Sequence, residues 1–251
     1  MTGGFETIIY RKKDCVGYVT LNRPHVLNAY SVKMRDELFE ALQAIKEDDE
    51  IRAVIINGSG EKAFCAGADL TEFLTAPSVI DARRIRSRRD IWRLLDEIPQ
   101  PTICALHGYV LGSGLEIALF CDLRICSEDA IFGMPEASLG MIPGAGGTQL
   151  LPRTVGVARA LEILLAGERI DAHRAFRIGL VNMVVKKEDL ISTCENLAIK
   201  ITSLDPEVVR RIKRLVKNAT NVNLVTGMYL ESLTVDLLKK VLSEKKEVQI
   251  R

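Results

Sequence analysis

The sequence predicts an α/β fold, with a core of stacked strand-and-helix units followed by a helical C-terminal region. Three observations predict it. Short apolar runs alternate with Gly-bearing loops and with segments of helical spacing as far as Gly133. Past Pro143 the periodicity turns almost wholly helical. The chain has 251 residues, 47% of them hydrophobic and 27% charged, enough for one large core or a core with an appendage. No internal sequence repeat is visible, so the units recur in order of elements and not in identity.

The elements follow in order. ETIIYRKKDCVGYVTLNRP reads as two strands around a polar turn, and SVKMRDELFEALQAIKED as a helix behind a Ser cap. RAVIING is a short buried strand. The Gly-bearing loop GSGEKAFCAGADL then leads into a helix expected over 78–97, ended by Pro99 and Pro101. PTICALHG is a strand, LEIALFCD a helix and DLRICSEDAIFG a strand. The remaining helices, from VGVARALEILLAGERIDAHRAFRIG to LESLTVDLLKKVLSEKKEVQIR, are interrupted only by VNMVV. This organisation divides the chain into a core over 1–190 and a helical region over 191–251, a place for oligomer contacts or a lid.

Charge and cysteine usage narrow the function classes. Net charge is +1, from 34 Lys and Arg against 33 Asp and Glu, so no bulk field points to nucleic acid or an anionic membrane. Six cysteines stand mostly in apolar runs, with no CxxC pair and only three histidines in the chain, which reads as buried reduced thiols and no metal site. The N-terminus lacks a signal-peptide pattern, and no apolar run approaches the ~20 residues of a membrane span. A soluble cytoplasmic protein is expected.

The chemistry gathers at three glycine-rich places. In LGSGLEIALFCD (111–122), Glu116 stands inside an apolar run behind Gly112, Ser113 and Gly114, in the first turn of a helix. In GMPEASLGMIPGAGG (133–147), Glu136 follows Pro135, 20 residues after Glu116, and a helix start followed by a returning strand can bring two such acids face to face. In CAGADL, Gly67 permits a sharp turn that leaves Ala68 to Leu70 with free N–H groups. Two N–H donors converging from separate loops would make an oxyanion hole. Singly, each feature has a plain reading, since glycine-rich turns usually just turn and an acid near a helix start favours the dipole.

Together, AFCAGADL, GYVLGSGLEIALFCD and MPEASLGMIPGAGGTQLLPR closely resemble, in order and spacing, the signatures of the enoyl-CoA hydratase/isomerase (crotonase) family. The likeness runs from LNRPHVLNAYS to AFRIGLVNMVV. It implies a crotonase-like spiral of repeated ββα units with a C-terminal helical trimerisation region, assembled as a homotrimer or a dimer of trimers. By the same resemblance, the N–H groups of Ala68 and Ser113 grip the thioester oxygen, Glu116 and Glu136 are the two catalytic acids, and Gly144 helps hold a water. His25, Val26 and Leu27 with Ala66, Asp69 and Leu70 form the wall that receives CoA.

The implied reaction is hydration of a 2-enoyl-CoA to a 3-hydroxyacyl-CoA, with coenzyme A as part of the substrate and no cofactor or metal. Such a hydro-lyase needs a base for water at Cβ, a proton source for Cα and donors for the enolate-like oxygen, which two carboxyls and two N–H groups supply. A double-bond isomerase, or a hydratase for a cyclic or dienoyl-CoA, is the alternative within the family. In another class stands an RNA-binding member using the basic run RRIRSRRDIWR (83–93), where Arg86, Arg89 and Arg93 share a helical stripe. A solvated amphipathic helix is the plainer reading of that run, so nucleic acid is not the expected partner. The sequence departs from the family at Ser113, commonly Gly, at His25, often Lys, and in a short tail after LESLTVDLLKK.

Overall fold

A hairpin starts the main sheet. β1 (Ile8–Lys13) and β2 (Val16–Leu21) pair antiparallel across a two-residue turn in which Asp14 takes φ +53°. The computed structural model describes residues 4–72, 78, 80, 84 and 87–249, with side chains as far as 239. α1 (Val32–Glu47) begins where the Ser31 hydroxyl accepts from the Met34 N–H at 3.1 Å, and buries Met34, Leu38, Ala41, Leu42 and Ile45 at helical spacing.

From there a unit recurs. β3 (Ala53–Gly58) runs parallel to β2 in the main sheet, and after a turn β4 (Ala63–Cys65) enters a second sheet. The cycle repeats with β5 (Thr102–Leu106) beside β3 and β6 (Tyr109–Leu111) beside β4, then with β7 (Leu123–Ser127) beside β5 and β8 (Ile131–Gly133) beside β6, all parallel. α2 (Ile91–Glu97) and α3 (Ser113–Phe120) close two of these turns. This is the expected spiral of ββα units, with β1-β2-β3-β5-β7 neighbours in that order in one sheet and β4-β6-β8 in the other.

The last two strands come from the helical region. After α4 (Gly147–Val155) and α5 (Val157–Ala166), the two-residue β9 (Ile170–Asp171) pairs antiparallel with β8, α6 (Ala172–Arg177) follows, and β10 (Met183–Val185) joins β7 in parallel. Alternation along the strands divides the core. Val54 and Ile56 face the side covered by α1, whereas Ala53 and Ile55 pack with Leu190, Cys194 and Ala198 of α7 (Leu190–Thr202). The compact unit therefore runs to Thr202. A second unit, Ser203–Arg251, holds α8 (Pro206–Asn218), capped by Asp205, and α9 (Leu224–Gln249).

Three local expectations are corrected. DLRICSEDAIFG is two strands in different sheets, because Ser127 to Asp129 turn the corner with the Ser127 hydroxyl bonded to the Asp129 carboxylate. VNMVV is not the sole interruption of the late helices, since Ile170 and Asp171 pair with β8. The helix expected to run unbroken to 97 restarts at Asp90, which is non-helical and accepts from the N–H groups of Trp92 and Arg93, both at 3.1 Å. Asp stabilises a helix start better than a helix interior. Residues 79, 81–83, 85 and 86 of that segment lie outside the described residues.

All six cysteines are free, and all but Cys15 are buried. Among the described residues no helix is long and apolar enough to cross a membrane.

Candidate active site

α3 is buried nearly all round, and its single acid, Glu116, is only 2% exposed. A buried carboxylate requires partners. Glu116 has them across the fold: its Oε1 accepts from the N–H of Ala145 at 2.8 Å and of Gly147 at 3.0 Å. Gly147 opens α4, so the charge also lies at that helix's positive end. The other end of α3 meets a cation. Arg124, buried in β7, donates to Cys121 O at 2.7 Å, Ala118 O at 3.3 Å and Leu180 O at 2.7 Å, satisfying carbonyls at the close of the helix.

Glu136 reaches the same place from a 3-10 turn, Pro135–Leu139, that follows β8. Its carboxyl stands against Gly112: a Cβ on that glycine would lie 2.7 Å from Glu136 Oε1. Glu136 Oε2 is buried and has no hydrogen-bond partner among the described residues. Burial pushes the Glu136 pKa above the usual carboxylate range, and the nearby charge of Glu116 adds to the rise. The two expected acids are therefore brought within electrostatic reach, one held by N–H donors and one biased toward its protonated form.

The two expected N–H donors come from loops that touch. Gly67 has φ +110° and Gly112 φ +49°, and a Cβ on Gly112 would lie 3.5 Å from the Gly67 Cα. Glycine suits the positive φ of both turns, and at Gly112 it also leaves room for the Glu136 carboxyl. Ala68 and Ser113 follow these turns directly. Tyr30 donates to Gly67 O at 2.8 Å and accepts from the Asp69 N–H at 2.9 Å, a pattern that turns the N–H of Ala68 away from Tyr30. Ser113 is the first residue of α3, where an N–H has no partner within its helix. Gly144 is exposed in the loop that carries Ala145 and Gly147.

The six residues expected to wall a CoA groove fall on two laced segments. Pro24–Val26 forms a 3-10 turn that exposes His25 and Val26, and Leu27 O accepts from the Ala66 N–H at 3.0 Å. Leu70 is exposed. Asp69 is occupied: its carboxylate meets Arg23 Nη1 at 2.8 Å and the Thr71 hydroxyl at 2.6 Å, and these bonds hold its pKa below the usual range, the Thr71 hydroxyl most. Asp69 thus fastens the loop to the segment that carries His25. A cavity of about 300 Å³ beside His25 and Leu27 is lined also by Ser59, Gly60 and Lys62.

Sequence reasoning missed the donors that hold Glu116, the Arg124 anchor, and a row of rings formed by Tyr30, Trp92 and Phe120. Only the Arg inside the apolar strand LRICS and the lone Trp of the chain were local signals. The basic stripe reads differently in three dimensions. Arg89 pairs with Glu40 at 2.9 Å and Arg93 with Glu97 at 2.6 Å, while Arg86 lies outside the described residues. Among the described residues no cluster of three His, Cys, Asp or Glu could hold a metal ion.

Known proteins share this arrangement of sequence and fold. The family model described as enoyl-CoA hydratase/isomerase matches residues 11–249. A short-chain-enoyl-CoA hydratase of Clostridium acetobutylicum is 39% identical over 90% of this chain and 87% of its own length. A crotonyl-CoA hydratase of Syntrophomonas wolfei is 37% identical over 91% of this chain and 88% of its own. The crystal structure of an enoyl-CoA hydratase from Bacillus anthracis superposes with a TM-score of 0.87 at 37% identity, covering 96% of this chain and 97% of that one.

Proposed function

The chain belongs to the enoyl-CoA hydratase/isomerase family, and from that premise we propose that it adds water reversibly across the 2,3 double bond of a 2-enoyl-CoA, giving a 3-hydroxyacyl-CoA. It is a hydro-lyase acting on an acyl-CoA thioester. The N–H groups of Ala68 and Ser113 receive the thioester oxygen and the negative charge that grows on it as the enolate forms. Glu116 takes a proton from water as the oxygen bonds to Cβ, and Glu136 delivers a proton to Cα. Gly144 contributes to holding that water, and the segments of His25, Val26, Leu27, Ala66, Asp69 and Leu70 receive the CoA arm. The reaction as written calls for no cofactor beyond the CoA of the substrate.

The observation that carries this reading is the unequal setting of the two acids. Glu116 Oε1 has two backbone donors that complement a negative charge, whereas Glu136 has a buried oxygen without a partner among the described residues and a raised pKa. A base and an acid side by side are what water addition needs, while a double-bond shift can proceed with one. The names of the two relatives support a short acyl chain. Free cysteines throughout support a reducing, cytoplasmic setting. The ion pairs of Arg89 and Arg93 support a structural role for the basic run over nucleic-acid binding. Exposed apolar residues of α9, among them Leu224, Val225, Met228 and Tyr229, support assembly as a homotrimer or dimer of trimers.

The test is a panel of 2-enoyl-, 3-enoyl- and dienoyl-CoA thioesters with mass-resolved products. Hydration gives a gain of one water from the 2-enoyl esters. An unchanged mass with a moved double bond would assign the isomerase alternative instead.

A further inference from the structure

Three half-buried rings stand in a row beside the site. The centroids of Tyr30 and Trp92 are 5.5 Å apart with planes tilted 51°, and those of Trp92 and Phe120 are 5.8 Å apart with planes tilted 37°. Such tilted contacts are favourable for aromatic pairs. Each end of the row touches backbone of the site. Tyr30 is bridged to Ala68, and the Phe120 ring edge lies 3.0 Å from where Gly146 would carry a Cβ. Gly146 stands between Ala145 and Gly147, whose N–H groups hold Glu116.

The order of residues along α3 gives the row a direction. Ser113 opens the helix, Glu116 follows three residues later, and Phe120 lies four residues beyond that on the same face, about one turn or 5.4 Å further on. A thioester with its oxygen at the Ser113 N–H and its Cβ at Glu116 therefore points its remaining carbons at Phe120 and the Trp92 ring packed on it. The backbone that carries the indole is fixed, and the ring is flanked by Tyr30 and Phe120. Asp90 caps the start of α2 through the Trp92 N–H, and Ile91, Leu94 and Leu95 of the same helix are buried.

We propose that Trp92, packed between Tyr30 and Phe120, is the end wall of the acyl pocket and confines this enzyme to short 2-enoyl chains. The placement of the thioester rests on the hydratase reading given above; the wall itself does not depend on the reaction. About one helical turn of rise separates Glu116 from Phe120 along α3, which leaves space for a few carbons beyond Cβ and not for a long tail. A chain that overruns a fixed wall loses about tenfold or more for each excess carbon.

The experiment measures kcat/KM for crotonyl-, hexenoyl-, octenoyl- and decenoyl-CoA in wild type, Trp92→Ala and Trp92→Leu. Wild type falls steeply with length. In Trp92→Ala, decenoyl-CoA improves by about tenfold or more while crotonyl-CoA loses several-fold with its wall, and Trp92→Leu, which retains a bulky apolar side chain, moves in the same direction by less. Calorimetry with butyryl- and decanoyl-CoA, which cannot be hydrated, reads the pocket apart from the chemistry. A gain for decanoyl-CoA in the variants keeps the wall even if no ester is hydrated, an outcome that would remove only the hydratase reading. Equal wild-type rates on crotonyl- and decenoyl-CoA, or an unmoved ratio of the two saturated affinities in both variants, would overturn the proposal.

Discussion

Gly112 and Glu136 occupy adjoining space: a Cβ on Gly112 would stand 2.7 Å from Glu136 Oε1. The glycine also takes φ +49°, so both the room for the acid and the turn that presents the Ser113 N–H depend on the missing side chain. Gly112→Ala should destabilise the fold by about 2 kcal/mol or more, from backbone strain together with displacement of the acid. Hydration should fall by on the order of 100-fold or more, since the proposed oxyanion donor and proton source both shift. Urea denaturation and crotonyl-CoA kinetics on the purified variant check both parts.

Glu136 should leave a signature in stability against pH. Its pKa in the folded protein lies above the ordinary value of 4.5, so the folded state holds this proton more tightly than the unfolded chain. Its contribution is fullest below that ordinary value and is lost as pH rises through the raised folded value. Glu136→Gln stays neutral throughout and lacks this slope. Wild-type stability minus that of the variant, from urea midpoints between about pH 4 and about pH 8, should decrease as pH rises. A flat or increasing difference would contradict a raised pKa for the buried Glu136.

Arg124 positions α3 from its far end. Arg124→Met keeps much of the bulk but leaves the carbonyls of Ala118, Cys121 and Leu180 without their buried donor, a loss of about 3 kcal/mol. Lysine should rescue only part of this, because it lacks the fork that reaches three carbonyls. Denaturant midpoints of Arg124→Met and Arg124→Lys give the comparison.

Self-assembly is expected from the apolar residues that α9 exposes. Sedimentation at micromolar concentration should show a trimer or hexamer, and replacing Val225 and Met228 with Glu should shift it toward smaller species. A monomeric wild type would contradict the assembly.

What was legible in the sequence was mostly local. Ser31 announced α1, the apolar run RAVIING announced β3, and the spacing of Glu116, Glu136 and the glycines around them marked the candidate site. What was not legible is set by distant partners or by a competition between neighbours. The Ala145 and Gly147 donors to Glu116 are separated from it by 29 and 31 residues, and no local pattern marks them. Asp90 sat inside a helical periodicity, and its preference for a cap over a helix interior decided where α2 begins. The corner at Ser127 to Asp129 is a polar triplet inside a segment read as one strand, and strand propensity says nothing about which sheet receives each half.

The central claim is that Glu116 is present for the reaction and not for the fold, and the direct test is crotonyl-CoA hydration by Glu116→Gln. The glutamine oxygen can still accept from the N–H groups of Ala145 and Gly147 but cannot take a proton from water. The account predicts that folding and butyryl-CoA binding survive while kcat falls by on the order of 100-fold or more. Hydration at the wild-type rate would contradict it, leaving Glu116 as an acid that serves only to join two helix starts.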